Sequence, residues 1–326
     1  MTNNKLEFYC LREFKDFELS LRVNTNLTNY CNNNCWYCNG NFPNVKKGYY
    51  LSKEKFSELL NFINFQEIKK VYLTLIGGEP TLNENLPWMM NESLNKLKKK
   101  QIYVVTNLLK PLEYFKSLPL RKRGFGFTCS FHSHAVSNYK KWFEKVDYIY
   151  DMECLSGVSL MLTNLNVNII KEIYDKYKDR YKNVFSERSV VNAFAINEFG
   201  YTDEYKELCA NGIFEKYNVH DDCKGDWEIG EVSVLLSDGT NDNKNYQKYN
   251  CFYFMMCMCG LQVHADGRIT RCLHDRFPIH ILGKGNSFKK LNRWHLCKHK
   301  ICKCDLDFPK ASVSYYLEHF MEKKNA

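Results

Sequence analysis

The 326-residue sequence predicts an α/β chain, a partial (β/α)6 TIM-like barrel followed by a small cysteine-rich C-terminal domain. Strand-like and helix-like segments alternate about six times before residue 200, the pattern of βαβ units around a parallel sheet. Hydrophobic residues make up 44% of the chain and aromatics 15%, enough for a large packed interior and no basis for disorder. After Gly225 the character changes to Asp-Gly hairpin sequences with recurring cysteines. These features place a lead at 1–16, the barrel at 17–215 and the tail domain at 216–326.

The elements follow from their periodicities. Phe17, Leu19, Leu21 and Val23 alternate as on a strand. A helix starts near Ser52, a capping residue, with Phe56, Leu59, Leu60 and Ile63 on one stripe. "KVYLTLIGGEP" reads as the second strand, Leu86 to Lys99 as the next helix, and "IYVVTN", ending at Asn107, as the third strand. "GFGFTCSFH", a helix near Asn138 to Val146, "GVSLMLTN", a helix around Ile169 to Tyr181 and "SVVNAFAIN" complete the repeats. In barrels of this kind, chemistry sits in the loops after the strands. In the tail, "EVSVLLSDGTN" and "LQVHADGRITRC" read as hairpins.

The N-terminus is charged throughout, unlike a secretory signal, and the longest apolar run, "CFYFMMCMCGL", is too short for a membrane span. A cytoplasmic protein is expected. Fifteen cysteines in such a chain point to metal rather than to a disulfide framework. The net charge of +9 is scattered over runs such as "KLKKK" and "RKR". These read as solvated helix ends and loops rather than a nucleic-acid footprint, and suit an anionic substrate or acidic peptide equally.

The informative stretch is "TNYCNNNCWYCNG", with Cys31, Cys35 and Cys38 in a loop after the first strand. Cys-x3-Cys-x2-Cys is the spacing that holds a [4Fe-4S] cluster by three of its irons, leaving the fourth open to a reactant. A zinc knuckle completed by a distant ligand uses similar residues.

The context resembles the radical S-adenosylmethionine (radical SAM) superfamily. Cys31, Cys35 and Cys38 match its CxxxCxxC loop, with Tyr37 at the aromatic position before the last cysteine. Gly77, Gly78, Glu79 and Pro80 match its second signature. Thr106 with Asn107, and Ser130 with His132, end the third and fourth strands, where the family makes further cofactor contacts. The resemblance covers roughly residues 17 to 200. It implies that SAM chelates the open iron by its amine and carboxylate, with Glu79 accepting from the amine. It also implies that the glycines let backbone approach the ligand. An electron from the cluster then splits SAM into methionine and a 5′-deoxyadenosyl radical, which removes a hydrogen atom from substrate. An external one-electron donor resembling flavodoxin or ferredoxin is implied as a partner.

"CMCGLQVHADGRITRC" contains Cys257-x9-Gly267-x4-Cys272, similar to the opening half of the SPASM and twitch extensions of that superfamily, which carry auxiliary Fe–S clusters. "HLCKHKICKC" adds Cys297, Cys302 and Cys304, but the full SPASM CxxCx5Cx3C run is absent. One auxiliary cluster of the twitch type is therefore expected, on Cys257, Cys272 and two of the last three cysteines. A structural zinc is the alternative, with His274, His295 and His299 nearby.

The function expected is radical SAM chemistry on a peptide, by analogy of fold. Oxidation or rearrangement of a small molecule is the alternative within the class, and a non-catalytic zinc or cluster protein the alternative outside it. Fewer than 20 residues precede the first expected strand, so a fused leader-recognition domain is not expected there.

Overall fold

The computed structural model describes residues 5–10, 19–38, 48–120, 124–163, 165–181, 184–189, 233–242, 255–258, 260–272, 275, 277–285, 287–297 and 309–321. Cys302, Cys304, Cys259, His274 and His299 lie outside the described residues.

The fold is a mixed α/β fold with a parallel sheet. Strands β2 (Ser20–Asn26), β3 (Lys70–Ile76), β4 (Lys100–Thr106), β5 (Phe125–Phe131), β6 (Leu155–Leu162) and β7 (Phe185–Ser189) pair in that order, all parallel. Helices α1 (Lys53–Phe65), α2 (Leu86–Lys96), α3 (Leu112–Ser117), α4 (Tyr139–Asp151) and α5 (Val167–Tyr177) connect them. The sheet does not close among the described residues, because β2 and β7 do not pair.

The helices form where a cap meets an apolar stripe. Ser52 Oγ accepts from the Lys55 amide at 3.3 Å, and Phe56, Leu59, Leu60 and Ile63 are buried behind it. Asn138 caps α4 in the same way, and the stripe Trp142, Phe143, Val146, Ile149 carries that helix to Asp151, beyond the Val146 expected. α3 has no counterpart among the expected elements: six residues with only Phe115 buried show no helical period. The sixth strand lies at Phe185–Ser189, earlier than the expected "SVVNAFAIN". Val158 donates to the Val184 carbonyl at 2.7 Å and sets the register there. Residues 190–197 are outside the described set.

One sheet face carries Val71, Leu73, Leu75, Ile102, Val104, Phe127, Val158 and Leu160, packed with the helices into a single core. Each such side chain, fully buried, contributes about 2 kcal/mol. The alternate positions Arg22, Asn24, Thr74, Tyr103, Thr128 and Ser130 are half-buried or exposed. The other face is therefore polar and partly open.

Two pairings cross the expected division of the chain. Strands β10 (Leu261–Val263), β11 (Arg268–Thr270) and β12 (His280–Ile281) extend the main sheet, β10 running parallel to β2. A Cβ on Gly260 would lie 2.5 Å from the Arg22 carbonyl oxygen, so a glycine there lets β10 start flush against β2. The "ADG" turn is a tight one, with Gly267 at φ 98°. The N-terminal lead also contains a strand. β1 (Leu6–Cys10) lies between β8 (Ser233–Leu236) and β14 (Lys310–Ala311). With β9 (Met256–Met258) and β13 (Trp294–Leu296) they form a second, five-stranded sheet. Among the described residues no helix is long and apolar enough to cross a membrane.

Candidate metal and cofactor site

The parallel pairing brings the ends of β2 to β6 to one edge of the sheet, and there the expected site residues meet. The Thr28 and Tyr30 carbonyls accept from the Gly78 and Glu79 amides at 2.9 and 2.8 Å, tying the cysteine loop to the "GGEP" turn. A Cβ on Gly77 would sit 2.3 Å from the Thr28 oxygen, and one on Gly78 would sit 2.0 Å from the Tyr30 oxygen. The glycines were expected to admit a ligand; the atoms they admit in this structure are the backbone of the cysteine loop itself. Gly78→Ala should therefore displace the loop and cut bound iron to a small fraction of wild type, measured by iron and sulfide analysis after anaerobic reconstitution. Full iron content in that variant would show that the close approach is dispensable.

Cys31 and Cys38 are half-buried and Cys35 is buried. Asn107 Nδ2 donates to Asn32 Oδ1 at 2.9 Å and lies 3.9 Å from Cys31 Sγ. His132 Nδ1 lies 2.8 Å from the Tyr37 hydroxyl and 3.5 Å from Cys35 Sγ. Tyr37 stacks on His132 and packs with Cys35, Cys38 and Met161. His134 Nε2 bonds Asn33 Oδ1 at 3.0 Å. Ser130 is half-buried on the open sheet face, and Pro80 starts a short 3-10 turn.

The electrostatics identify what the thiols need. Burial, then the charges of Glu79 and Cys38, pushes Cys31 up to about 11, although bonds from the Asn33 backbone and Asn107 pull the other way. Burial, then Cys31 and Cys38, pushes Cys35 up to about 12. Three thiolates cannot coexist here without positive charge between them, which a bound metal centre would supply. His132 is held down to about 4 by burial and by His134, so it is a neutral imidazole at pH 7 and does not supply it. Among the described residues no three His, Cys, Asp or Glu side chains are grouped to hold a single metal ion. Three thiols with no fourth ligand adjacent in sequence are the donor set that holds a cluster by three of its irons. The thiol loop thus fits the [4Fe-4S] group.

Glu79 sits among hydrogen-bond donors of its own chain. It is 1% exposed. Its Oε1 accepts from the Thr81 amide (3.1 Å), the Thr81 hydroxyl (2.7 Å) and the Thr106 hydroxyl (2.7 Å), and its Oε2 accepts from the Asn107 amide (2.8 Å). The carboxylate ties the end of β3 to the end of β4. The polar row on the open face (Arg22, Asn24, Thr74, Tyr103, Thr128) is not among the expected site residues, although strict strand alternation marks it.

In the tail, Cys257 and Cys297 are buried and pack together. Register places His295 opposite Cys257, and the Cys297 amide bonds the Met255 carbonyl. His295 Nδ1 is buried without a hydrogen-bond partner among the described residues. Cys272 is half-buried just past β11.

Residues 25–176 match the family model described as the radical SAM superfamily. The chain is similar to the solved structure of polyhistidine-tagged anSMEcpe with bound AdoMet, with a TM-score of 0.53 and 14% identity over 80% of this chain and 77% of that one. It is also similar to native anSMEcpe with bound AdoMet and Kp18Cys peptide, with a TM-score of 0.51 and 15% identity over 79% of this chain and 75% of that one. Native anSMEcpe with bound AdoMet and Cp18Cys peptide matches with a TM-score of 0.51 and 14% identity over 79% and 75%. At these identities the likeness shows the fold. No curated protein matches the chain.

Proposed function

We propose that the protein is a radical SAM enzyme that modifies a peptide. The observation that carries the first part is the three-cysteine loop, held at the strand ends by the "GGEP" turn and by Asn107, with no fourth ligand adjacent in sequence. Cys31, Cys35 and Cys38 would hold the cluster. When bound, it supplies the electron that splits SAM into methionine and a 5′-deoxyadenosyl radical, which takes a hydrogen atom from the substrate. Tyr37, Gly77, Gly78, Pro80, Thr106, Asn107, Ser130 and His132 line or support the same edge and would orient SAM. Glu79 Oε1 already accepts three bonds, so only Oε2 has capacity for the SAM ammonium. His132, held neutral, would position Tyr37 against Cys35 without adding charge. The half-open polar sheet face would receive the substrate and shield it from water. The electron would come from a flavodoxin- or ferredoxin-like donor.

The peptide assignment rests on fold likeness to anSMEcpe, two of whose structures hold peptides. Incubating the reduced enzyme with SAM and candidate peptides tests it. Mass changes coupled to 5′-deoxyadenosine formation are expected, and a small sugar or nucleotide as the only coupled substrate would replace that reading.

The tail would hold one auxiliary Fe–S cluster, on Cys257, Cys272, Cys297 and one of Cys302 and Cys304. Support comes from the buried Cys257–Cys297 contact and from the hairpin that returns Cys272 to the end of the sheet where β10 begins. Substituting Cys257 and Cys272 together should remove about half of the bound iron while SAM cleavage without substrate persists. Unchanged iron would refute the second cluster.

A further inference from the structure

A cavity of about 620 Å³ opens at the edge of the main sheet beside β12. Its place follows from strand direction. β10 runs parallel to β2, so β11 returns toward the opposite end from the cysteine loop, and Arg271 follows β11 there. Helix α1 also runs back to that end, where Phe62, in its last turn, meets the cavity.

The wall is a built structure. The buried Gln66 amide donates to the Lys289 carbonyl at 3.1 Å and accepts from the Leu291 amide at 2.9 Å, fixing the 289–291 segment against α1. His280 stacks on Phe62 and bonds Glu58, whose other oxygen accepts from the Gly283 amide.

The lining combines an apolar floor with cations. Phe62, Ile279 and Leu291 supply apolar surface, and Ser287 and Asn292 supply polar groups. Arg271, Lys289 and Lys290 also line the cavity, which has no Asp or Glu in its lining among the described residues. Lys290 is committed to Glu67 and to the Phe65 carbonyl. Arg271 Nε is buried and has no hydrogen-bond partner among the described residues, and Lys289 has no carboxylate partner among them. Arg271 and Lys289 line the same cavity, and a guanidinium and an ammonium in one site favour a dianion. An apolar pocket of this size with a few convergent polar groups is the form of a small-molecule site.

We propose that this cavity binds a small phosphate monoester with an apolar body, the phosphate on Arg271 and Lys289 and the body against Phe62, Ile279 and Leu291. The site is separate from the cysteine loop and does not depend on the chemistry proposed there. The test is calorimetric titration of the cluster-loaded full chain with phenyl phosphate, and with inorganic phosphate and benzoate as comparisons. Phenyl phosphate should saturate, bind about tenfold more tightly than either comparison, and weaken as salt is raised. Arg271→Gln and Lys289→Gln should each weaken it by about tenfold. Lys289 is exposed, so its variant keeps the fold even if Arg271→Gln perturbs it. No saturation by about 10 mM, or affinity unchanged in Lys289→Gln, overturns the site. Tighter binding of benzoate overturns the phosphate assignment.

Discussion

Cys35→Ala should abolish formation of 5′-deoxyadenosine from SAM in the reduced enzyme, a loss of at least about three orders of magnitude, with the chain still folded. Of the three thiols Cys35 is the buried one, central in the packing of Tyr37, Cys38 and Met161. Its sulfur also lies within reach of His132 Nδ1. Alanine removes one of three cluster anchors and leaves two, too few to hold a cube with a single open corner. The fold should survive because Cys35 lies in a loop outside the main core, so the far-UV spectrum and thermal midpoint of the cluster-free variant should match the cluster-free parent. Comparing bound iron with 5′-deoxyadenosine separates the outcomes. Residual cleavage near the wild-type rate would mean that another side chain holds the third iron, and the ligand assignment would fall.

Much of this site is legible in the sequence because its chemistry is local. The cysteine spacing, the paired glycines and the strand ends at Asn107 and His132 each sit within a few residues of a periodic segment, and parallel pairing then carries them to one edge. The six parallel strands are legible for the same reason. What sequence does not show is what depends on distant pairing. β1 has five residues, and it becomes a strand because β8 and β14 flank it, more than 200 residues away. The hairpin at 261–270 reads as tail, yet Gly260 lets it dock on β2 and extend the main sheet. The glycines of "GGEP" illustrate a subtler loss. Their freedom is plain in the sequence, but the atoms that need the space are the Thr28 and Tyr30 carbonyls, which only the folded chain brings there.

Glu79→Ala should destabilise the cluster-free protein by about 2–3 kcal/mol, because four donors converge on that carboxylate in a site sealed from water. The Thr81 and Thr106 hydroxyls can rotate toward other acceptors, but the Thr81 and Asn107 amides cannot, and alanine leaves both buried and unmade. Glu79→Gln should cost less. Its oxygen can still take the Oε1 bonds, while its amide nitrogen faces the Asn107 N–H and breaks one. The charge also gives a pH signature. Burial raises the Glu79 pKa, outweighing the bonds from Asn107, Thr81 and Thr106 that lower it. Between pH 4.5 and the raised folded value, the unfolded glutamate is mostly deprotonated while the folded one mostly keeps its proton. Fewer protons on the unfolded state mean that stability falls as pH rises from 4.5 toward the raised folded value. Below 4.5 the contribution is fully present. Glutamine has nothing to titrate, so the difference between wild type and Glu79→Gln should narrow across that window as pH rises. Urea midpoints for the three proteins at pH 4.5 and pH 7 measure both effects. A loss below about 0.5 kcal/mol in Glu79→Ala would mean that the strand ends of β3 and β4 are held without this carboxylate, and that its bonds serve a ligand rather than the fold.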